Sequence, residues 1–324
     1  MSDNILKDTG ERDSLIERAA ESVLNTAVVG SARVTGGEVN DTYKIETEDR
    51  AFVVKVFKRD WPEEGKLPWI ERHLTQYEVP HARLVYYSRN DLYFPHGFSI
   101  SEYIEGQNAL DAIAGGSLSL ETYYSRIGAL LRRAHQIPAR QYGYIGHGPG
   151  GMYTTFTEHK LIHEVQDRLR EIEDIDSFDK NIYRGIEEKV RRQLAPFEHR
   201  FKPVLIHADP VPKNAVWTTD HRLILIDWDE AIAGAWIADF AQLNYWHNYS
   251  NPFGGTEDLS NNKVRDAFFR GYGTVEFSVG EIAVMENALH IIYSVDLLPF
   301  YQREKNAKAF KQTKERLMIL LGQS

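Results

Sequence analysis

The chain of 324 residues contains no cysteine, which excludes disulfide scaffolds, thiolate metal sites and cysteine nucleophiles. It also lacks an excess of positive charge: 38 Lys and Arg stand against 47 Asp and Glu, a formal net charge of −9. A general nucleic-acid binder needs a dense basic face to displace counterions, so no nucleic-acid partner is expected. No stretch approaches the ~18 apolar residues of a membrane span. The most apolar stretch, residues 288–301, is interrupted by His290, Asp296 and Pro299. The opening residues are charged and carry no apolar segment of the kind a secretory signal uses. A cytoplasmic protein with no membrane partner is therefore expected. Internal repeats and low-complexity tracts are missing as well. What remains is ordinary for a globular chain: 42% hydrophobic and 26% charged residues, enough to fill a core larger than one average domain.

The first ~100 residues read mainly as strands with little helix. Strands are expected over 28–34, 42–46, 51–57, 83–87 and 98–104, with one helical segment between 63 and 77 whose start is obscured by Pro68. After Glu105-Gly106 the pattern turns helical. Ser119 is placed to cap a helix carrying Ile127, Leu130, Leu131 and Ala134 on one face. Thr155 and Glu158 form a capping-box pattern before Leu161, Ile162, Val165 and Leu169. Ile182, Ile186, Val190 and Leu194 recur every fourth residue up to Pro196, and Ser278 with Glu281 make a second capping box. The expected fold class is α+β, with a small β-rich lobe over 1–104 and a larger helical lobe over 105–324.

One β island lies within the helical half. A short strand at 204–206 leads into His207-Ala-Asp209-Pro-Val-Pro-Lys-Asn214, and a second run, 223–226, ends in Asp227-Trp228-Asp229. Pro210 and Pro212 forbid a regular helix between Asp209 and Asn214, so the loop must take a specific shape. It begins with Asp209 and ends with Asn214, beside Asp227 at the tip of the neighbouring strand. A carboxylate plus an amide oxygen suits Mg²⁺, which takes hard oxygen ligands and keeps room for phosphates. The remaining carboxylate can accept a hydroxyl proton.

His207-x-Asp209-x4-Asn214 followed by Ile226-Asp227-Trp228 resembles the signature of the aminoglycoside phosphotransferase and choline kinase family, small-molecule kinases with a bilobal protein-kinase-like fold. The likeness runs over about 34–273. Val34-Thr-Gly36-Gly37-x2-Asn40-x2-Tyr43 is similar to the family's nucleotide-positioning loop, and Lys55 falls at the strand lysine. Residues 101–106 resemble the interlobe hinge, and His135 closes a helix similar to the one before the catalytic region. Gly234-x4-Asp239-Phe240-Ala241 and Phe269-Arg-Gly271-Tyr272-Gly273 match later landmarks. Within the family, residues 148–155, His207-Ala208-Asp209 and Tyr245-Trp246 are most similar to hygromycin phosphotransferases.

The resemblance implies transfer of the γ-phosphoryl group of ATP or GTP to a hydroxyl of a small acceptor, with Mg²⁺, by a monomer or homodimer. Asp209 would act on that hydroxyl, with His207 beside it as part of the catalytic motif. Asn214 and Asp227 would hold the metal, and Gly36, Gly37, Asn40 and Lys55 would hold the phosphates. Glu102 and Ile104 would read adenine through their backbone. Glu64 is the best-placed helix partner for Lys55, with Glu63 and Glu71 as competitors. Asp229, Glu230, Asp239 and Trp246 are candidates for the acceptor site. The acceptor is expected to be cationic or polyhydroxylated, aminoglycoside-like first, with choline, an amino acid or a sugar as alternatives.

Each feature has a plainer reading. Lys55 could be an edge or snorkelling lysine, Asp229 and Glu230 solvated loop charges, and Trp246 core packing. The glycines of 143–151 lack the Gly-Lys-Ser/Thr of a phosphate loop, and His159 and His163 lack the intervening glutamate of a zinc protease. Two rival functions remain. A metal-dependent glycosyltransferase could use Asp227-Trp-Asp229, but it leaves Lys55 and Asn214 without a role and expects a Rossmann pattern that is not there. A nucleotide-binding pseudokinase would not need the full set of reacting groups.

Overall fold

The computed structural model describes residues 9–34, 40–60, 62–89, 91–146, 152–171, 180–250 and 261–322. It opens with helix α1 (Thr9–Leu24), then strands β1 (Val28–Arg33), β2 (Asp41–Thr47) and β3 (Ala51–Val56), helix α2 (Lys66–Gln76), and strands β4 (Leu84–Ser88) and β5 (Phe98–Glu102). The five strands form one antiparallel sheet in the order β1-β2-β3-β5-β4. Alternation along β3 sets the use of its two faces. Phe52, Val54 and Val56 pack into a core with Ile16, Ala19 and Ala20 of α1, while Val53 and Lys55 face the opposite side.

No helix ahead of the first strand was expected. Leu15, Ile16, Ala19, Ala20 and Val23 recur at helical spacing, and that stripe covers the sheet face left apolar by β2 and β3. Pro68 proves compatible with α2 because it is the third residue of the helix, where the backbone N–H has no intrahelical acceptor to lose. β5 ends at Glu102, two residues earlier than expected.

Beyond it, β6 (Gln107–Asn108) already pairs with Trp217 and Val216 far along the chain. Helices α3 (Ala109–Ala114) and α4 (Leu120–Ala134) follow, the latter capped by Ser119. Next come α5 (Phe156–His159), a π-helical stretch (Lys160–Gln166), α6 (Asp167–Glu171) and α7 (Lys180–Leu194). The expected continuous α-helix after Thr155 is therefore wound wider in its middle. Leu161, Val165 and Leu169, four residues apart, stay buried, while Ile162 turns out to solvent. The β island comprises β7 (Val204–Ile206), β8 (Ala215–Trp217), β9 (Leu223–Leu225) and β10 (Ile232–Gly234), with β7 paired to β10 and β8 paired to β6 and β9. Helices α8 (Ile237–Tyr249), α9 (Asn261–Tyr272), α10 (Val279–Arg303) and α11 (Ala307–Leu321) complete the lobe. The Ser278–Glu281 capping box starts α10 as expected. Among the described residues, no helix is long and apolar enough to cross a membrane.

Two contacts set the frame of the site. Helices α4 and α9 approach closely at Gly128 and Gly271, where an added Cβ would lie 2.4 Å from the Phe268 carbonyl oxygen and 1.8 Å from that of Ser125. Glu71 fastens α2 to the start of β4: it accepts from the Leu84 N–H at 2.8 Å and lies 2.9 Å from His81 Nε2. Burial works against this carboxylate, but His81 and the Leu84 amide outweigh it and hold its pKa at about 2.

Gly271→Ala is expected to lower stability by about 1–3 kcal/mol, because both neighbours are backbone and cannot swing aside. Gly280→Ala, facing open space in the first turn of α10, is expected to be neutral or stabilising by about 0.5–1 kcal/mol. Thermal melts of both variants check this contrast. For Glu71, a folded-state pKa below the unfolded value of 4.5 means stability that is complete above pH 4.5 and lost as pH falls towards 2. Urea melts of wild type and Glu71→Gln should differ most at neutral pH and converge at the acid end of that window.

Candidate active site

The loop after β7 is shaped by a carboxylate that lies outside it. Asp239, at the start of α8 and 0% exposed, accepts from the His207 N–H at 2.9 Å and the Ala208 N–H at 2.8 Å. His135 Nε2, at the end of α4, donates to it at 3.1 Å, and His135 Nδ1 meets the Tyr272 hydroxyl of α9 at 2.9 Å. Burial would raise the pKa of Asp239, yet the donors hold it below the usual carboxylate range. This grip also fixes Ala208 in the left-handed region at φ 66°, a conformation that disfavours any residue with a Cβ. Asp239 was expected among the acceptor acids. It is instead an internal brace, fully enclosed and fully bonded.

His207 is likewise a positioning residue and not a reacting one. It is 0% exposed, with Nε2 2.9 Å from the Ile226 carbonyl and Nδ1 3.2 Å from the Asp209 N–H. A carbonyl can only accept, so Nε2 carries the proton and Nδ1 receives the amide. The ring thus ties the Asp209 loop to the strand end that carries Asp227. Asp209 itself is partly exposed. Asn214 Nδ2 donates to its Oδ2 at 2.7 Å and to its backbone carbonyl at 2.9 Å. Gln242 Nε2 reaches Oδ1 at 3.3 Å, and Lys213 lies 3.3 Å from Oδ2. Neither Gln242 nor the bracing role of Asp239 had a local signal, since both contacts come from α8.

Asp227 sits at the tip after β9 with φ 65° and opens a short turn, Trp228–Glu230. The turn brings Asp227 and Asp229 to one side, where each lies 2.8 Å from Lys55 Nζ. Burial opposes the lysine's charge, but the two carboxylates outweigh it and raise its pKa. The attraction of Lys55 lowers that of Asp227, whereas burial raises that of Asp229 despite the same lysine. The Asp227 side chain is 47% exposed and that of Asp229 9%. Asn40, from the expected nucleotide loop, donates to Asp229 Oδ2 at 3.3 Å.

Lys55, Asp227 and Asp229 line a cavity of about 240 Å³ between the five-stranded sheet and the β island. Glu102, Tyr103 and Ile104 form one end, Lys55, Asp227 and Asp229 the other, and Val53 and Val216 lie on opposite walls. The Glu102 N–H is taken by the Arg83 carbonyl at 2.9 Å, so the hinge offers its carbonyl at that position.

Several expected assignments change. Glu64 is exposed in the turn before α2, and Glu63 lies 3.5 Å from Lys66. With Glu71 held by His81 and Leu84, none of the three glutamates is the ion-pair partner of Lys55 among the described residues. Asp229 faces Lys55 and Asn40. Glu230 remains half exposed, 3.7 Å from Arg59, and Trp246 packs part-buried against the C-lobe core. Gly36 and Gly37 lie outside the described residues, as do 147–151 of the glycine-rich stretch.

The donor set fits Mg²⁺. The Asn214 amide nitrogen is committed to Asp209, which leaves its oxygen as the coordinating atom, and Asp227 presents a half-exposed carboxylate nearby. Both are hard oxygen donors: Asp227 lines the cavity, and Asn214, 9% exposed, is joined to the strand that carries Asp227 through the Ile226 N–H.

Comparison with known proteins agrees with this geometry. The family model described as "Phosphotransferase enzyme family" matches residues 31–282. A search of curated protein sequences gave no match. Among solved structures, the chain is similar to aminoglycoside phosphotransferase APH(4)-Ia, with a TM-score of 0.68, 14% identity, and 96% of this chain and 98% of that one covered. Choline kinase LicA from Streptococcus pneumoniae gives a TM-score of 0.68 at 17% identity, covering 97% and 100%. A putative fructosamine-3-kinase from Thermobifida fusca gives 0.59 at 18%, covering 93% and 98%. At these identities the structural likenesses establish the fold. The family match spans most of the chain and includes every residue of the cavity. The protein belongs to the phosphotransferase enzyme family.

Proposed function

We propose that this phosphotransferase moves the γ-phosphoryl group of ATP, or GTP, to a hydroxyl of a small amino- or polyhydroxylated acceptor, aminoglycoside-like first. The observation that carries the reading is the hydrogen-bonded run from Asp209 through Asn214 to the Asp227 strand. Asn214 Nδ2 bonds Asp209, and the Asn214 carbonyl accepts the Ile226 N–H at 2.9 Å. An acceptor-side carboxylate, a metal-side amide oxygen and a metal-side carboxylate are thereby held as one unit.

The chemistry assigned to each residue follows from its surroundings. Glu102 and Ile104 hold the base through backbone groups, and Lys55 neutralises charge on the phosphates. Asn214 and Asp227 would hold Mg²⁺, which would supply charge neutralisation at the phosphoryl group being transferred. Asp209 orients the acceptor hydroxyl and takes its proton as the new P–O bond forms and the bond to the departing nucleoside diphosphate breaks. Gln242 and Asn214 keep that carboxylate in one orientation, which is where most of the acceleration is expected. Glu230, the half-exposed acid beside the cavity, is the acid we assign to an acceptor amine, through a charge-assisted hydrogen bond. The fold relatives support this reading: a thermostable mutant of APH(4)-Ia has been solved in a ternary complex with AMP-PNP and hygromycin B, and the others are named for choline and fructosamine.

The two aspartates separate experimentally. Asp227→Ala is expected to abolish turnover and weaken binding of the Mg²⁺-nucleotide. Asp209→Asn keeps the shape and removes the base, so kcat should fall ~10²–10⁴-fold while nucleotide binding stays near wild type. Calorimetric nucleotide titrations and steady-state rates on both variants check this. Equal binding defects would refute the division of roles, and full activity in Asp209→Asn would refute the mechanism.

A further inference from the structure

A strand lysine that grips phosphates needs a carboxylate to hold its flexible four-carbon stem in place. In the family arrangement a helix glutamate is expected in that role, and here the helix has none to give. Glu71, the α2 glutamate that lines the cavity, is enclosed by His81, the Leu84 amide, Thr75 and Arg83, at 2.9, 2.8, 3.1 and 3.3 Å. Lys55 turns instead to the far wall, where Asp227 and Asp229 each lie 2.8 Å away. The two carboxylates are not equivalent. Asp227 is half exposed and is the one assigned to the metal. Asp229 is 6% exposed, and its Oδ2 meets both Lys55 Nζ and Asn40 Nδ2. Asn40 is itself 7% exposed, and its Oδ1 has no hydrogen-bond partner among the described residues.

We propose that Asp229 takes the place of the helix glutamate: it is the positioning residue that holds Lys55, and Asn40 with it, at the phosphate end of the cavity. This deepens the phosphotransferase reading and rests on it. Three features support the assignment. The left-handed turn at Asp227 brings a residue two positions further on back toward the same lysine. Burial of Asp229 leaves little of its carboxylate open to solvent, so its orientation is set chiefly by its two donors. With Asp227 committed to the metal, Asp229 is the partner Lys55 keeps when nucleotide binds. The lysine is then set from across the cavity, and its position depends on the 227–230 turn and not on α2.

The test is a double-mutant cycle on nucleotide affinity, which needs no acceptor. Mg²⁺ with AMP-PNP is titrated calorimetrically into wild type, Lys55→Ala, Asp229→Ala and the double variant, each first confirmed as folded by circular dichroism. Each single change is expected to weaken binding ~10-fold, and the double no further than Lys55→Ala alone, because Asp229 acts through the lysine. If Asp229→Ala does not fold, the isosteric Asp229→Asn replaces it, with a smaller loss and the same lack of additivity. As a contrast, Glu71→Gln is expected to add its effect, whatever its size, to that of Lys55→Ala. A double variant ~100-fold weaker than wild type, the product of the two single effects, would overturn the proposal while leaving the phosphotransferase reading intact. No binding of Mg²⁺-AMP-PNP by the wild type would overturn both.

Discussion

The buried carboxylate of Asp239 is the constraint on which the rest of the site depends. An ionised group taken wholly out of water costs several kcal/mol unless donors surround it, and this one has three: two successive backbone N–H groups and an imidazole. Meeting that demand dictates the path of the chain after β7. Ala208 is forced into the left-handed region and Asp209 is aimed out of the core. The same demand reaches backward through His135 to Tyr272, and so to the seam where α4 and α9 meet over two glycines. Close helix packing, a buried acid and a strained loop are one mechanical chain, and its last link is the carboxylate assigned to the acceptor hydroxyl.

The opposite wall works by charge. Lys55 comes from a strand whose other face is committed to the α1 core, so its position is set by the sheet. Its partners come from a turn at the end of β9, 172 and 174 residues further along the chain. The two ion pairs tie the sheet to the β island, and charged partners arriving in the cavity must compete with them. The site is therefore built half from packing and half from electrostatics, with Asp227 at the meeting point. It shares the lysine with Asp229 on one side and lies next to the Asn214–Asp209 unit on the other.

What could be read from the sequence was local. Strand alternation, capping residues and the Asp209–Asn214–Asp227 spacing are properties of short windows, and in the structure Asn214 bonds both Asp209 and the strand that ends in Asp227. The Gly271 landmark was legible as a pattern, and its reason emerges only from the helix seam. The α1 stripe was present but short, and it is explained by the sheet it covers. What could not be read was which acid serves which cation. Glu64, Asp229 and Asp239 were assigned by their positions along the chain, whereas their roles are decided by contacts between distant segments. Asn40 and Asp229 are 189 residues apart, and Glu71 is removed from contention by His81 and Leu84. Charges are exchangeable in a sequence and become distinct only when burial and donors are assigned.

The most direct measurement is phosphorus NMR of the protein mixed with Mg²⁺, ATP and a panel of amino- and polyhydroxylated compounds. A phosphate-monoester signal should grow in step with ADP for at least one acceptor, and it should be absent with Asp209→Asn. ATP converted only to inorganic phosphate across the panel, or left untouched by a protein that binds it, would contradict phosphoryl transfer to a hydroxyl.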